Sequence, residues 1–255
     1  MNSPTWGRRV GNGALAGLVG GVAAAALLWT LVEPAIDQAI AIEETGHSHG
    51  HDHGEAVSRL QQQIGGTLTV VVVAVLLGIA YAVAYARARH RLPGRTDLGR
   101  SLSLAALAFG AVVLMPALVL PANPPGVGDP DTVNTRTLTY LLVVLASAGV
   151  IGVVFTVEKA LSLRTISAEW RWLACAVTGI LGVIAVVLVV PDVEQEIPSI
   201  VPAGLLWEFR IGSLVQLAGM WVVVGVVHGA LAHRGSVRGS VDAPRETRVS
   251  RDAAL

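Results

Sequence analysis

Long apolar stretches alternate with short polar connections along most of this 255-residue chain. Each of six stretches is close to the roughly 20 residues that a helix needs to cross about 30 Å of hydrocarbon. They cover residues 10–32, 64–86, 102–120, 138–157, 172–190 and 211–231, and none carries a charged residue. Lipid offers no partner for free backbone groups, so such stretches are predicted to be helical. The pattern predicts an all-α integral membrane protein with six transmembrane helices.

Composition supports a membrane protein, because 53% of the residues are hydrophobic and only 14% are charged. The mean hydropathy is +0.63, whereas a soluble domain would carry about 25% charged residues. The single cysteine, Cys175, lies in an apolar run, which excludes a disulfide framework and predicts a small buried hydrophobic residue. The first apolar stretch is longer than the roughly 7–15 residues of a signal peptide's apolar region, so we expect a retained first helix.

Basic residues are distributed unequally between the two sides of the predicted helices. Fifteen of the eighteen lie in connections on one side, and only Arg59, Arg136 and Arg210 lie on the other. The positive-inside rule therefore predicts that both termini are cytoplasmic. Twelve of the eighteen acidic residues lie on the outer side, although the chain is electroneutral overall. This acidic face would raise the local concentration of cations.

The predicted helices form one transmembrane domain, residues 1–232, followed by a polar, arginine-rich tail, residues 233–255, which is predicted to be cytoplasmic and disordered. Helix 1 carries Gly13, Gly17 and Gly21 at four-residue spacing, and helix 6 carries Gly225 and Gly229. Small residues at this spacing favour close helix packing in lipid. The sequence does not identify the partner helices.

The most distinctive chemistry lies in the long outer connection between helices 1 and 2, which reads Gly-His-Ser-His-Gly-His-Asp-His-Gly over residues 46–54. Imidazole and carboxylate groups are donors for divalent transition metals, and the glycines disfavour a helix. We predict a flexible loop that closes around an ion, and the alternative is an incidental or merely buffering histidine tract. The predicted ligands here are His47, His49, His51, His53, Asp52, Glu43 and Glu44.

Acidic residues at helical spacing precede the histidines. Glu33, Asp37 and Glu44 recur beside Ile36 and Ile40, which predicts an amphipathic segment on the outer surface. This segment either guides metal towards the loop or is simply a solvated acidic face.

The connection between helices 3 and 4 is rich in proline, with five prolines from Pro116 to Pro130. Proline forbids a regular helix, so helix 3 is predicted to be kinked or broken near Pro116, with freed carbonyl groups. We interpret the connection as an outer vestibule in which Asn123 and Asp129 contribute metal ligands, and a tight structural turn is the alternative.

Helix 6 contains two polar residues of interest. Gln216 is the clearest amide within a predicted span, which suggests a metal-contacting role or an inter-helix hydrogen bond. His228, near the inner end, is either a ligand on the way out or a lone, partly solvated histidine.

Motifs of nucleotide-driven pumps and common hydrolases are absent, including GxxxxGK[ST], DKTGT, GxSxG and HExxH. We therefore predict a protein that is not an enzyme and has no tightly bound cofactor.

Several strings resemble the CbtA family of predicted cobalt transporter subunits, and the resemblance covers nearly the whole chain. The most specific string is the proline-rich one from Pro121 to Thr132; where the family tends to have a Lys-Tyr pair, this chain has Val119-Leu120. The other strings are Glu33-Pro34, Ile36-Asp37, Ala39-Ile40, Glu43, Ser58-Arg59, Gln61, Arg136-Thr137, Tyr140, Pro202-Ala203, Leu206-Trp207, Phe209-Arg210, Ser213-Leu214, Gln216 and Trp221.

The resemblance implies uptake of Co²⁺ across a bacterial cytoplasmic membrane, linked to cobalamin synthesis, with a small membrane partner called CbtB. The ligand chemistry does not select cobalt, because site affinity alone would favour copper, nickel or zinc. A nickel or zinc transporter and a non-conducting accessory or sensor protein are the alternative functions.

Overall fold

The computed structural model describes residues 6–46, 58–125, 127, 130–191 and 197–241, and the elements within these ranges are helices joined by turns, without strands. Two of the helices contain a π-turn, a single wider turn closed by i to i+5 hydrogen bonds. The elements in chain order are α1 (Trp6–Leu27), the first π-turn (Leu28–Val32), α2 (Glu33–Gly46), α3 (Arg59–Ala88), α4 (Asp97–Phe109), the second π-turn (Gly110–Leu114), α5 (Met115–Val119), a 3₁₀ turn (Pro130–Thr132), α6 (Val133–Ser162), α7 (Ala168–Val189) and α8 (Ala203–Val241).

Six helices in the described ranges are long and apolar enough to cross a membrane, which confirms the predicted number. Each overlaps one of the predicted stretches. They extend beyond those stretches because polar residues can continue a helix outside the apolar layer. Their bounds are Trp6–Glu43, Arg59–Ala88, Asp97–Val119, Val133–Ser162, Ala168–Val189 and Ala203–Arg234.

The glycines of α1 bring its backbone against α3. A Cβ atom at Gly17 would lie 2.7 Å from the Cα of Val75, and one at Gly21 would lie 3.0 Å from the Cα of Val71. Small residues let the two backbones approach closely, so their dispersion contacts replace contacts with lipid. The predicted packing ridge is confirmed, and its partner is a helix of the same chain.

Helix α8 packs against both α1 and α4 through other small residues. Gly20 of α1 faces Val224, whereas Gly225 and Gly229 of α8 face Ala105 and Leu98 of α4. Helices α1, α3, α4 and α8 thus form a four-helix body, whose core is built from alanine, tyrosine, valine, methionine and tryptophan side chains.

The first span continues as one helix into the segment that was predicted to lie on the outer surface. Ala35 and Ala39 of α2 are buried against Leu205 and Phe209 of α8, and Glu33 is buried as well. The segment predicted to be amphipathic is therefore the continuation of the first span, and its Ile36 packs against the same cluster.

The third span contains a π-turn and continues through Pro116 to Val119. Proline has no N–H group, so the carbonyl of Val112 loses its usual donor. The hydroxyl of Tyr140 on α6 donates to that carbonyl at 3.0 Å. The predicted irregularity and freed carbonyl are confirmed, and the helix is bulged rather than broken.

Helices α6 and α7 form a hairpin that packs on itself, on α5 and on the second π-turn. Only 11% and 6% of their most apolar windows are buried within the chain, against 39% for α8. Most of the hairpin surface is therefore available to lipid or to another protein.

Helix α8 runs to Val241, so the first nine residues of the predicted disordered tail are helical. The helix extends past the apolar layer because its polar residues do not interrupt the backbone hydrogen bonds. Residues 242–255 lie outside the described residues.

Candidate metal site

The predicted loop ligands His47, His49, His51, His53 and Asp52 lie between Gly46 and Ser58, outside the described residues, and so does Asp129. Their roles remain predictions. Within the described ranges, no group of three or more histidine, cysteine, aspartate or glutamate side chains is close enough to hold a metal ion. We call the end of the four-helix body that carries this connection the loop end.

A capping box stabilises the start of α3. The backbone N–H of Gln61 donates to the Ser58 hydroxyl at 3.4 Å, and the backbone N–H of Ser58 donates to the Gln61 side chain at 3.0 Å. This exchange satisfies two donors at the helix N-terminus. The connection that contains the histidines therefore ends at Ser58, the N-cap residue of α3.

An ion cluster lies beside the loop, formed by Glu33, Asp37, Arg59 and Gln63. Arg59 donates to Asp37 Oδ1 from Nε at 2.9 Å and from Nη2 at 2.6 Å, and its Nη2 is 2.5 Å from Glu33 Oε2. Gln63 Nε2 also donates to Glu33 Oε2, at 3.2 Å. These contacts tie α2, which precedes the loop, to α3, which follows it.

The members of the ion cluster differ in burial. The Glu33 side chain is only 9% exposed, whereas Arg59 is 30% and Asp37 is 55% exposed. A buried carboxylate is tolerated when it is paired and hydrogen-bonded. The carboxylates of Glu33 and Asp37 are thus paired with the Arg59 guanidinium group and do not form an unpaired acidic surface.

Glu43 and Glu44, the acidic residues predicted to join the histidines, lie near the end of α2. The Glu43 side chain is exposed, three residues before the helix ends at Gly46. Its carboxylate is therefore accessible to solvent near the end of α2. The side chain of Glu44 lies outside the described part of the chain.

The proline-rich connection is held by Arg210 of α8. Arg210 donates from Nε to the Ala122 carbonyl at 3.0 Å and from Nη2 to Asn123 Oδ1 at 2.9 Å. Asn123, predicted as a metal ligand, therefore accepts a hydrogen bond through its Oδ1 atom from a cationic side chain. This contact supports a structural role for Asn123.

A shallow groove of about 320 Å³ lies near the proline-rich connection, at the start of α6. It is lined by Leu120, Val133, Arg136, Thr137 and Tyr140, and not by Asn123. Its only charged lining residue is cationic. This groove is therefore poorly suited to hold a metal cation.

Gln216, the predicted amide ligand, is 7% exposed and lies inside the four-helix body. It is one helical turn from Gly212, whose Cβ position would be 2.9 Å from the Leu31 carbonyl oxygen in the first π-turn. Gln216 is thus placed near an irregular stretch of helix, and such stretches at membrane depth persist where they are buried or line a cavity.

His228 differs from the lone, partly solvated histidine of the second sequence interpretation. It is 5% exposed, and its ring lies edge-on to Tyr81 and Tyr85, with centroid distances of 5.2 and 4.8 Å. The Ser101 hydroxyl lies 3.4 Å from its Nδ1 atom. The tyrosines near the C-terminal end of α3 cover the ring, and sequence alone could not place them there.

Sequence reasoning missed the roles of Arg59 and Arg210. Both are exceptions on the side of the protein that is otherwise poor in basic residues. A basic residue on that side needs a local reason, and here the reasons are two carboxylates and a carbonyl–amide pair. The count of basic residues on each side of the predicted helices had already marked Arg59 and Arg210 as exceptions.

Six apolar helices, a glycine-packed body and polar clusters at both of its ends define a multi-pass membrane protein. A family model described as "Probable cobalt transporter subunit (CbtA)" matches residues 7–233. The chain belongs to the CbtA family. Searches of curated proteins and of solved structures found no significant match.

Proposed function

We propose that this protein is the conducting subunit of an importer of Co²⁺, with the metal ion as its cargo. In this proposal, the outer loop captures the ion through His47, His49, His51 and His53, helped by nearby carboxylates. The ion then crosses within the four-helix body, past Gln216. The small membrane protein CbtB is the proposed partner, in a bacterial cytoplasmic membrane.

The observation that carries the proposal is a four-histidine tract between α2 and α3 in a member of a family described as a cobalt transporter subunit. Four imidazole groups give a local concentration of borderline donors that suits divalent transition metals. The acidic residues on the same side would attract cations from solution. Both features favour capture on the side where import begins.

The mechanism predicts a pH dependence of capture. Neutral imidazole binds metal and protonated imidazole does not, so affinity should fall as the pH drops through about 6.5, the ordinary pKa of histidine. Above that pH, the loop is expected to be fully competent. At lower pH, a higher Co²⁺ concentration should restore the uptake rate.

The direct test measures uptake of radiolabelled Co²⁺ into proteoliposomes that contain the full chain, with and without CbtB. Replacing the four loop histidines with alanine should raise KM about tenfold and leave the maximal rate unchanged, because capture is lost and conduction is kept. His90→Ala is the matched control, because His90 is exposed at the opposite end of the body.

Two results would contradict parts of the proposal. A wild-type chain that binds Co²⁺ but shows no uptake, even with CbtB, would be a non-conducting accessory or sensor protein. Faster uptake of Ni²⁺ or Zn²⁺ than of Co²⁺ under competition would reassign the cargo.

A further inference from the structure

The shallow groove at the start of α6, which we call the α6 groove, is lined from two spans. Its described lining residues are Leu120, which follows the third span, and Val133, Arg136, Thr137 and Tyr140 of α6. Its volume of about 320 Å³ is at the lower end of the roughly 300–1,000 Å³ that is typical of small-molecule sites. The α6 groove therefore has room for a small molecule or for one part of a larger one.

The α6 groove lies at the depth of the lipid headgroups. Helix α6 has 30 residues, which gives a length of about 45 Å at 1.5 Å per residue. A bilayer is about 40–45 Å thick when its headgroup regions are included. Arg136 lies in the first turns of α6, two residues before the apolar stretch 138–157 begins. Its guanidinium group is therefore placed where phosphate groups of the membrane lie.

Arg136 supplies the free hydrogen-bond donors of the α6 groove. The Thr137 hydroxyl donates to the Val133 carbonyl at 2.8 Å, and the Tyr140 hydroxyl donates to the Val112 carbonyl at 3.0 Å. Each hydroxyl has a single proton, so neither has one left for a ligand. The Arg136 side chain makes no hydrogen bond or ion pair with any described residue. A ligand of this groove is therefore expected to bring an acceptor, and an anionic one above all.

Arg136 is also the third basic residue on the side of the protein that is otherwise poor in them. Arg59 is paired with two carboxylates, and Arg210 donates to a carbonyl and an amide oxygen. No such partner accounts for Arg136 among the residues that the structure describes. Arginine binds phosphate through charge-assisted and often bidentate hydrogen bonds. A lipid phosphate would thus give Arg136 the partner that the other two arginines find within the chain.

The rest of the lining favours a lipid over a free phosphate ion. Leu120, Val133 and the Tyr140 ring present apolar surface, and Leu141, one helical turn after Thr137, is 50% exposed. Free phosphate would gain nothing from these side chains, whereas a phospholipid would remove its own apolar groups and theirs from water. An ammonium headgroup would lie beside a guanidinium group of the same charge, so an anionic headgroup is favoured.

We propose that the α6 groove binds an anionic phospholipid, with its phosphate on Arg136 and the start of an acyl chain against Leu120, Val133 and Tyr140. The hairpin of α6 and α7 packs on the rest of the chain through α5 and the second π-turn. Because the groove is lined from both sides of this junction, the bound lipid would connect the hairpin to the third span. The site is separate from metal capture and goes beyond the proposed function.

The first test is native mass spectrometry of the full chain in detergent, titrated with phosphatidylglycerol or phosphatidylethanolamine. The wild-type chain should retain one phosphatidylglycerol in preference to phosphatidylethanolamine. Arg136→Gln should weaken this binding about tenfold, as expected for a lost charge-assisted hydrogen bond. Arg164→Gln is the matched control and should bind as the wild type does, because Arg164 is exposed at the other end of the hairpin. Equal binding of the two lipids, or an equal effect of the two substitutions, would overturn the proposal.

The second test fills the α6 groove and keeps its charge. Val133→Trp adds a large side chain to the lining, and Val153→Trp adds the same side chain to α6 outside the groove. The two valines are 56% and 54% exposed, so the controls match in burial. Val133→Trp should lose the retained phosphatidylglycerol, whereas Val153→Trp should keep it. Unchanged retention in Val133→Trp would place the lipid elsewhere and overturn the proposal.

Thermal unfolding separates a lipid from a free anion. At about ten times its Kd, phosphatidylglycerol should raise the wild-type melting temperature by about 2–4 °C, because it binds the folded chain. It should leave Arg136→Gln unchanged, and inorganic phosphate should raise neither. The same increase with inorganic phosphate would assign the groove to a free anion and overturn the lipid proposal. If Arg136→Gln did not fold, the comparison of Val133→Trp with Val153→Trp would still decide.

Discussion

Glu33 illustrates how a buried acidic residue in a membrane protein depends on its partners. Its carboxylate is almost fully removed from solvent and is compensated by Arg59 and Gln63. Removing one partner of a buried pair is costly because it leaves an uncompensated charge, whereas removing both charges is often tolerated. The ion cluster should therefore respond unequally to single and double substitutions.

We predict that Arg59→Gln lowers the free energy of unfolding by up to about 3 kcal/mol, reduced from the fully buried case because Arg59 is partly exposed. Adding Glu33→Gln should recover most of this loss, because the stranded charge is then gone. Thermal and denaturant unfolding of the purified chain in detergent would measure both effects.

Arg136→Gln is the matched control for this cycle. Arg136 is also a basic residue near the loop end, but it forms no ion pair within the described part of the chain. Its substitution should change stability by less than about 1 kcal/mol. If the double variant were less stable than Arg59→Gln alone, the Glu33 carboxylate would not be the stranded group.

Individual side-chain roles were the hardest features to predict from sequence. Gln216 and His228 were recognisable because they interrupt an apolar run. The contacts of Ser101 with Gly225 and His228 span more than 120 residues of chain, and no local pattern encodes them. The loop histidines are the reverse case, since their chemistry is plain in the sequence and their placement is not described.

At the scale of the helices, the glycine ridge of α1 decides how closely two spans approach. Gly13, Gly17 and Gly21 leave no room for a side chain, because the atoms they face include backbone atoms of α3. Backbone cannot move aside as the end of a flexible side chain can. The α1–α3 contact should therefore be sensitive to one added side chain.

We predict that Gly17→Val lowers stability by at least about 2 kcal/mol through overpacking, and that it reduces the yield of monodisperse protein. Gly149→Val is the control with the same change in helix propensity, because nothing lies within 4 Å of a Cβ at Gly149. Melting temperature and gel filtration of both variants would measure the difference. Equal stability of the two would show that the α1–α3 contact is not close.

The helices themselves were predictable, whereas their irregular turns were predictable only in part. Each span is encoded by a run of apolar residues, and Pro116 indicated the irregularity of the third span. The first π-turn is followed by Pro34, two residues after Val32, as the second is followed by Pro116, but a proline alone does not distinguish a π-turn from a kink. Thr30 lies within the first π-turn and donates its hydroxyl to the Ala26 carbonyl at 2.9 Å, and such a hydroxyl is common in regular helices too.

At the scale of the whole molecule, the proposed direction of transport depends on sidedness. The excess of arginine and lysine in alternate connections predicts that both termini are cytoplasmic and that the histidine loop faces outwards. This orientation stays a prediction. The unequal distribution of arginine and lysine is the observation that supports this sidedness.

We predict that alkaline phosphatase inserted at Gly50 is active, and that green fluorescent protein fused after Leu255 is fluorescent, because the first reporter works only outside the cytoplasm and the second folds inside it. Swapping the two reporters should abolish both signals. A fluorescent fusion at Gly50 would place the histidines in the cytosol and would rule out capture for import.

The first π-turn also determines the direction around the helix axis in which the side chains of α2 point. A π-turn accommodates one extra residue, and one residue corresponds to about 100° of rotation around a helix. Shortening Leu28–Val32 by a single residue would turn Glu33 and Asp37 away from Arg59 while leaving α1 seated on α3. Length variation among homologous chains should therefore be rare at this turn and freer within the histidine loop.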